Sequence, residues 1–253
     1  FRGWQRGVGA MIAIGIIPAR MAASRFPGKP LKEIAGKAMI HWVWDQTIKA
    51  NSVTDVVIAT DDERIVDYCE ANDLDVVMTS DSHPTGSDRL AEVAVKIEAD
   101  VYVNVQGDEP LIEPETIDAV TKCLLDAMDH GVELSTGYIE KATDAQLDDP
   151  SVVHLVPGMD GCVITFSRLP VPYPMAETMQ RTVHVGLYAF TRKALQLFAE
   201  LERGPVERAE SIEVMRYLEH GYRVACVPVA PGSIGVDTPE DLAKVEAILE
   251  AKQ

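Results

Sequence analysis

Short apolar runs alternate with helix-like segments along the first half of the chain, and this alternation constrains the fold more than any other feature. The runs that predict strands lie at residues 12–17, 56–59, 76–78 and 101–105, and helical patterns lie at 39–50, 62–71 and 114–128. Runs this short and this continuously apolar are typical of strands buried on both faces. We therefore predict an α/β fold with a mostly parallel central sheet flanked by helices.

The second half of the chain has a weaker pattern. We predict strands at 162–166, 183–190 and 223–229, and helices at 192–201, 207–219 and 239–251. Residues 1–10 precede the start of regular patterning at Met11 and are interpreted as a leader, non-native or disordered. The folded region is expected to be one domain over 11–253.

The balance of charge excludes several classes of function. The net charge of the 253 residues is −17, which disfavours a broad surface for nucleic acid or for an anionic membrane. No apolar run approaches the roughly 18 residues that a membrane helix needs, so we expect no membrane insertion. The four cysteines form no CxxC pair and are predicted to be reduced core thiols of a cytoplasmic protein.

Positive charge collects in the loop after the first predicted strand. This loop contains Arg20, Arg25 and Lys29, and Gly28 would let the backbone approach a ligand closely. Guanidinium and ammonium groups around backbone N–H groups suit a polyphosphate. The loop lacks the spacing of a Walker motif. The alternative is an ordinary basic surface loop, but ligands of parallel sheets bind at the carboxyl ends of strands, where this loop lies.

Two distant aspartates are candidate ligands for Mg²⁺. Asp108 follows the fourth strand in the segment Gln-Gly-Asp-Glu-Pro, where an Asx turn or a helix cap is an equally good interpretation. Asp237 precedes a segment in which Thr238 is predicted to cap a helix that begins at Pro239. Because that cap does not use Asp237, this carboxylate remains available to the metal. Mg²⁺ commonly binds one or two carboxylates together with substrate phosphates.

Seven segments in order resemble the 3-deoxy-manno-octulosonate (Kdo) cytidylyltransferase family. They span most of the chain after Met11 and comprise IIPARMAASRFPGKPL (16–31), ATDDERI (59–65), HPTGSDRLAEV (83–93), VNVQGDEPLI (103–112), FSRLPVP (166–172), HVGLYAF (184–190) and GVDTPEDL (235–242). The resemblance implies a nucleotide-diphospho-sugar transferase-like sheet with a smaller dimerisation and sugar-binding lobe around 133–205. It also implies a cytoplasmic homodimer that uses CTP, an acidic sugar and Mg²⁺ in lipopolysaccharide biosynthesis.

The resemblance also implies roles for individual residues. Arg20 and Lys29 would hold the phosphates, Asp108 and Asp237 would bind Mg²⁺, and Arg20, Lys29 and Asp108 would be catalytic. Gln106 and the loop from Thr85 to Arg89 would meet ribose and cytosine, although Ser87 alone is equally well explained as a helix cap. The full set of expected nucleotide contacts is Pro18, Ala19, Arg20, Ser24, Arg25, Lys29, Thr85, Gly86, Ser87, Arg89, Gln106 and Asp108.

On the sugar side the sequence departs from the family pattern. Arg168 and His184 are expected to face the sugar carboxylate, and the same pocket would be lined by Tyr188, Glu210 and Glu213. Without the resemblance, His184 is better explained as a hydrogen-bonded strand histidine. The family's Gln is Val214 here, a Lys is replaced near His154, and Val183 precedes His184 where the family has Arg or Lys. The acceptor is therefore predicted to be Kdo or a related 3-deoxy-2-ulosonic acid, such as an amino- or deoxy-variant.

Two alternatives remain at this stage. Another sugar nucleotidylyltransferase would share the basic loop and the aspartates but would need cations for a sugar phosphate. A non-catalytic nucleotide-binding homologue would not need two separated carboxylates.

Overall fold

The computed structural model describes residues 11–22, 26–177 and 179–251. The predicted leader at 1–10 and the predicted nucleotide contacts Ser24 and Arg25 lie outside the described residues. The chain divides into two compact units, one formed by the sequence up to Asp118 and from Gly232 onward, the other by Ala119–Pro231. The predicted lobe at 133–205 falls within the second unit, whose limits are wider at both ends.

The first unit is built on a parallel sheet. Its strands are β1 (Ala13–Ala19), β4 (Asp55–Thr60), β5 (Val76–Met78) and β6 (Val101–Asn104), in the order β6-β1-β4-β5, and β2 (Glu33–Ile34) and β3 (Lys37–Ala38) form a small separate hairpin. Its helices are α1 (Met39–Thr47), α2 (Glu63–Ala71), α3 (Gly86–Lys96), the start of α4 (Pro114–Met128) and the last helix, α9 (Pro239–Glu250). The predicted α/β alternation is confirmed.

The core of this unit explains why its strands are so apolar. Ile16, Ile58 and Val103 are fully buried, as expected of strands covered by helices on both faces. The end of the chain is fixed by a separate apolar cluster in which Ile34 and Met39 pack with Leu111, Val236 and the α9 residues Val245 and Leu249. This cluster holds the loop before α9 in place. Thr238 caps α9 and Pro239 begins it, as predicted.

The second unit has a mixed sheet. Its strands are β7 (Leu134–Ile139), β8 (His154–Pro157), β9 (Val163–Ser167), β10 (Thr182–Thr191) and β11 (Ala225–Pro228). β7 pairs in parallel with β11, whereas the pairs β7–β10, β10–β8 and β8–β9 are antiparallel. The helices are α5 (Asp144–Leu147), α6 (Arg192–Glu200), α7 (Pro205–Glu210) and α8 (Met215–Glu219).

The prediction of one helix over 207–219 is wrong. α7 ends where Ser211 adopts a left-handed conformation, with φ of 52°, and α8 begins only at Met215. The buried guanidinium of Arg216 donates two hydrogen bonds to Glu207, at 2.9 and 2.8 Å, and joins the two short helices. An apolar periodicity continued across the break, so the pattern gave no sign of it. β7 and β8 were missed because polar and small residues interrupt their apolar pattern.

The helices of the described residues include none that is both long and apolar enough to cross a membrane.

Candidate active site

The candidate site begins where β1 and β6 end side by side. Ile16 of β1 pairs with Asn104 of β6 in a parallel register, so the loops that follow the two strands leave from the same edge of the sheet. Arg20, which follows β1 directly, is exposed. The order of the strands therefore brings the basic loop beside the segment that contains Gln106 and Asp108.

Gly107 allows the loop after β6 to approach the end of β1 closely. A Cβ atom on this residue would lie 2.8 Å from the carbonyl oxygen of Pro18 and 3.5 Å from Ile17 Cγ2. Real Cβ atoms do not approach a backbone oxygen this closely, so any side chain would push the two segments apart. Glycine at this position sets the distance between the basic loop and Asp108.

Lys29 joins the two predicted metal ligands. Its Nζ atom lies 2.7 Å from Asp108 Oδ2 and 3.1 Å from Asp237 Oδ1. The backbone N–H of Val236 donates to the carbonyl oxygen of Asp108 at 2.8 Å and fixes the last loop beside the β6 loop. Two aspartates far apart in sequence thus reach one ammonium group, as the metal-site prediction requires.

The backbone around Lys29 is held firmly. Gly28 has a left-handed conformation, with φ of 72°, that favours glycine, and its N–H donates to Met21 O at 3.1 Å. Lys29 then begins a single 3₁₀ turn, Lys29–Leu31, in which Pro30 is buried. The position of the Lys29 backbone is therefore fixed, while its four methylene groups leave the ammonium free to change rotamer.

The donor set around Lys29 fits a hard divalent cation. The side chains of Asp108 and Asp237 are 34% and 40% exposed, so both carboxylates can be reached from solvent. The described residues contain no group of three or more His, Cys, Asp or Glu side chains arranged to hold a metal alone. Carboxylate oxygens are the ligands that hard divalent cations take in proteins.

The loop before α3 is ordered by its own side chains. Thr85 caps α3, since its hydroxyl accepts from the N–H of Asp88 at 3.2 Å, so the interpretation of Ser87 as the cap is wrong. Arg89 is buried, and its guanidinium donates to Asp61 at 3.0 Å and to Thr79. These contacts favour a supporting role for Arg89 beneath the loop. Its direct contact with nucleotide stays a prediction.

Sequence reasoning missed two polar residues, one at the end of β6 and one directly after Asp108. Asn104 is fully buried, and neither atom of its amide has a hydrogen-bond partner in the part of the chain that the structure describes. Its Nδ2 atom would lie 3.9 Å from a Cβ at Gly86. Glu109 follows Asp108, and burial, together with the Asp108 carboxylate, raises its pKa to about 7. In the sequence, Asn104 could have been found as the polar residue that ends the apolar run Val-Tyr-Val-Asn.

The side chains of Arg168 and Glu210 form hydrogen bonds with other residues of the second unit. The Arg168 guanidinium donates to the backbone carbonyls of Glu210, Pro150 and Ser151, at 2.6, 3.0 and 3.1 Å. The Glu210 carboxylate accepts from the hydroxyl of Ser167 at 3.0 Å and from the backbone N–H of Arg168. Both side chains therefore fix the end of β9. A direct contact of either one with sugar stays a prediction.

His184 is neutral at physiological pH. Desolvation lowers its pKa from 6.5 to about 3. Its Nε2 atom lies 3.0 Å from the hydroxyl of Thr136, which itself donates to Leu187 O at 2.8 Å. When the Thr136 proton is used in that bond, Nε2–H donates to the Thr136 hydroxyl and Nδ1 is the acceptor of the neutral ring. The contact of His184 with the sugar carboxylate stays a prediction.

The ring of His184 is held between aromatic neighbours. Its centroid lies 5.3 Å from that of Tyr188 and 5.1 Å from that of Phe166, the latter in an edge-on arrangement. Tyr188 is itself buried, with 7% of its surface exposed. These contacts orient the imidazole and explain why it is desolvated.

We expect His184 to make the protein less stable as the pH falls. The native pKa lies below the unfolded value, so the stabilisation is complete above about pH 6.5 and is lost as the pH falls towards 3. At pH 5 the loss from this group should be about 1–2 kcal/mol. Between pH 8 and pH 5, the melting temperature of His184→Gln should fall less steeply with pH than that of the wild type. His130 is exposed, so His130→Gln is the matched control. If the melting temperatures of all three proteins changed equally with pH, the lowered pKa of His184 would be contradicted.

The cysteines are core thiols, as predicted. All four are free, three are buried, and burial raises the pKa of Cys69 and Cys226 to about 12 and that of Cys123 to about 11. Thiols held neutral in this way are poor nucleophiles. They do not contribute to the candidate active site.

A parallel sheet whose carboxyl edge presents a basic loop and two carboxylates is characteristic of enzymes that handle nucleoside triphosphates with a metal ion. The model of the family described as cytidylyltransferase matches residues 14–224. A 3-deoxy-manno-octulosonate cytidylyltransferase of Syntrophotalea carbinolica is 42% identical over 249 residues, which cover 94% of this chain and 99% of that protein. The enzyme of the same name from Geobacter metallireducens is 44% identical over 245 residues, which cover 91% and 94%.

Solved structures agree with the sequence relatives. The structure of a CMP:2-keto-3-deoxy-manno-octonic acid synthetase complexed with CTP matches with a TM-score of 0.90 and 38% identity, and the match covers 96% of this chain and all of that one. An inositol-1-phosphate CTP transferase of T. maritima, 13% identical with a TM-score of 0.65, shares the fold. The chain therefore belongs to the cytidylyltransferase family, among the 3-deoxy-manno-octulosonate cytidylyltransferases.

Proposed function

We propose that this chain couples CTP to Kdo or a close 3-deoxy-2-ulosonic acid, forming a CMP-sugar and releasing pyrophosphate. The anomeric hydroxyl of the sugar attacks the α-phosphorus of CTP, a new P–O bond forms, and the bond to the β-phosphate oxygen breaks. The observation that carries the proposal is the meeting of Asp108, Asp237 and Lys29 at the edge of the parallel sheet. Relatives at 42% and 44% identity named for this reaction support it.

The residues of the first unit supply position and charge in this proposal. Arg20 and Lys29 contact the triphosphate, Gln106 and the loop from Thr85 to Arg89 meet ribose and cytosine, and Asp108 and Asp237 hold the metal. When bound, Mg²⁺ neutralises charge on the phosphates and orients the reacting groups. Two anionic substrates repel each other, so positioning and neutralisation account for most of the catalysis.

For the sugar acid, we assign the residues of the second unit in two groups. His184, through Nδ1, accepts a hydrogen bond from a sugar hydroxyl, and Tyr188 and Glu213 are neighbouring contacts. Arg168 and Glu210 fix the end of β9, as their bonds to Ser167 and to backbone carbonyls favour. The replacements at His154, Val183 and Val214 keep a variant of Kdo as a candidate acceptor beside Kdo itself.

A screen for pyrophosphate release tests the proposed function. The protein is mixed with each of the four nucleoside triphosphates, Mg²⁺ and a panel of 2-keto-3-deoxy sugar acids that includes Kdo. We expect release with CTP and at least one of these acids, and at least weak release with Kdo. Hexose 1-phosphates are the comparison. Turnover with them alone would point to a different sugar nucleotidylyltransferase, and no turnover with any acceptor would contradict the proposal.

We also propose that the protein works as a cytoplasmic homodimer in lipopolysaccharide biosynthesis. Support for association comes from apolar side chains exposed on and around β9, namely Met159, Ile164, Leu169, Tyr173 and Met175. Among the described strands, β9 pairs only with β8. On its other edge the N–H of Val163 donates to Val224 O at 2.8 Å, and we infer that the part of this edge beyond Val163 pairs with a second copy. Sedimentation should give a dimer at micromolar concentration that Ile164→Lys weakens. A wild-type monomer under these conditions would refute the association.

A further inference from the structure

The ammonium of Lys29 lies between the carboxylates of the two predicted metal ligands, Asp108 and Asp237. It contacts one oxygen of each carboxylate, at 2.7 and 3.1 Å. The Lys29 side chain is 12% exposed, against 34% for Asp108 and 40% for Asp237, so the lysine is the most buried member of the group. The three side chains therefore form one charge cluster with the cation between two anions.

The lysine and a bound metal compete for the same two carboxylates. Two carboxylates that approach a common point repel each other unless a cation lies between them. The ammonium of Lys29 supplies that cation. A divalent ion that bound the same oxygens would take these hydrogen-bond acceptors from Lys29 and would repel its charge at short range. Metal binding to the two oxygens that Lys29 contacts therefore requires the ammonium to move away from them.

The local backbone permits this movement without a change of the loop. Gly28, the 3₁₀ turn and Pro30 fix the main chain, while the Lys29 side chain rotates about four bonds. A triphosphate held by the basic loop, to which Lys29 and Arg20 both belong, would offer the ammonium other anionic oxygens.

We propose that Lys29 is a resident counter-ion of the two aspartates, exchanged for the metal when the nucleotide arrives. The lysine keeps Asp108 and Asp237 together before binding and weakens metal binding in the absence of nucleotide. When CTP binds, its phosphates attract the ammonium, and the aspartates are released to the metal. Metal and CTP then assist each other's binding. This inference rests on the proposed function, because it requires a triphosphate beside the cluster.

Mn²⁺ binding without nucleotide tests the exchange. Free Mn²⁺ is measured by electron paramagnetic resonance in titrations of the wild type, Lys29→Met and Lys29→Gln. Both neutral variants should bind Mn²⁺ at least about ten-fold more tightly than the wild type, since the competing cation is gone. Lys32→Met removes the same charge from an exposed lysine nearby, and it should stay within about three-fold of the wild type. The double variant Lys29→Met/Asp237→Asn should lose the gain.

Thermal unfolding gives a second readout that does not depend on turnover. In EDTA, Lys29→Met should unfold at a lower temperature than the wild type, because its two carboxylates repel each other. Added Mg²⁺ should raise its melting temperature more than that of the wild type. A variant that binds Mn²⁺ no more tightly than the wild type, and gains no more from Mg²⁺, would overturn the inference.

Wild-type turnover separates this result from the proposed function. If the wild type releases pyrophosphate from CTP and a sugar acid while the Lys29 variants show no gain in metal affinity, only the exchange is wrong. If the wild type shows neither turnover nor metal binding with CTP present, the proposed function itself fails.

Discussion

Asp108→Asn is expected to lower kcat by roughly 10³-fold or more while the protein remains folded. The amide keeps the shape of the side chain but removes the negative charge that would hold the metal and attract Lys29. Lys29 retains its contact with Asp237 at 3.1 Å, and Asp108 is 34% exposed, so the loss of unfolding free energy should be small, about 1 kcal/mol. Pyrophosphate release and thermal unfolding measure the two effects.

The control for this variant is Asp126→Asn, which removes one carboxylate from an exposed ion pair with Lys122. Its turnover and stability should remain close to those of the wild type. If Asp108→Asn had near-normal turnover, Asp108 would not be a metal ligand. If the variant failed to fold, Asp108→Glu would address the same question, because it keeps the charge but moves it by one methylene group. Its turnover should then lie between those of the wild type and Asp108→Asn.

Gly107→Ala is expected to reduce kcat about 10²-fold and to destabilise the fold by about 1–3 kcal/mol. Its Cβ would lie 2.8 Å from Pro18 O, so either the end of β1 or the loop after β6 must move. A shift of about 1 Å in Asp108 relative to the basic loop is enough for a loss of this size. Steady-state kinetics and denaturant unfolding measure the two effects.

Gly235→Ala is the matched control, because Gly235 lies in the last loop of the same site and a Cβ there would meet nothing within 4 Å. The same chemical change should leave both kcat and stability close to the wild-type values. Equal losses in the two variants would show that loop flexibility, and not the close approach at Pro18, matters at Gly107.

The residues of the nucleotide side were accessible from sequence because their signal is local. Lys29 follows a glycine in the loop after the first apolar strand, β1. Asp108 lies in the loop after β6, the fourth strand that the sequence predicts. The rule that ligands bind at the carboxyl edge of a parallel sheet then places both on one edge. The helix start at Thr238 and Pro239 was also local, which is why Asp237 could be separated from it.

The sugar side was less accessible because its chemistry depends on burial and on hydrogen-bond partners. The family resemblance placed His184 and Arg168 at the sugar carboxylate. The structure adds the desolvation of His184 and its bond with Thr136, and the bonds of the Arg168 guanidinium to backbone carbonyls. Neither partner set is adjacent in sequence, so no pattern along the chain predicted it.

The sequence by itself determined the α/β alternation, the basic loop, the two candidate aspartates and the membership of the family, since each depends on residue types at short range or on ordered motifs. Only the tertiary structure decided that one lysine bridges both aspartates, that Gly107 sets the spacing of the loops, and that the predicted helix at 207–219 is broken at Ser211. The first two features arise from contacts between segments that are far apart in the chain, and the third from the backbone conformation of Ser211. Such contacts follow from packing and backbone geometry, which the order of residues does not show directly.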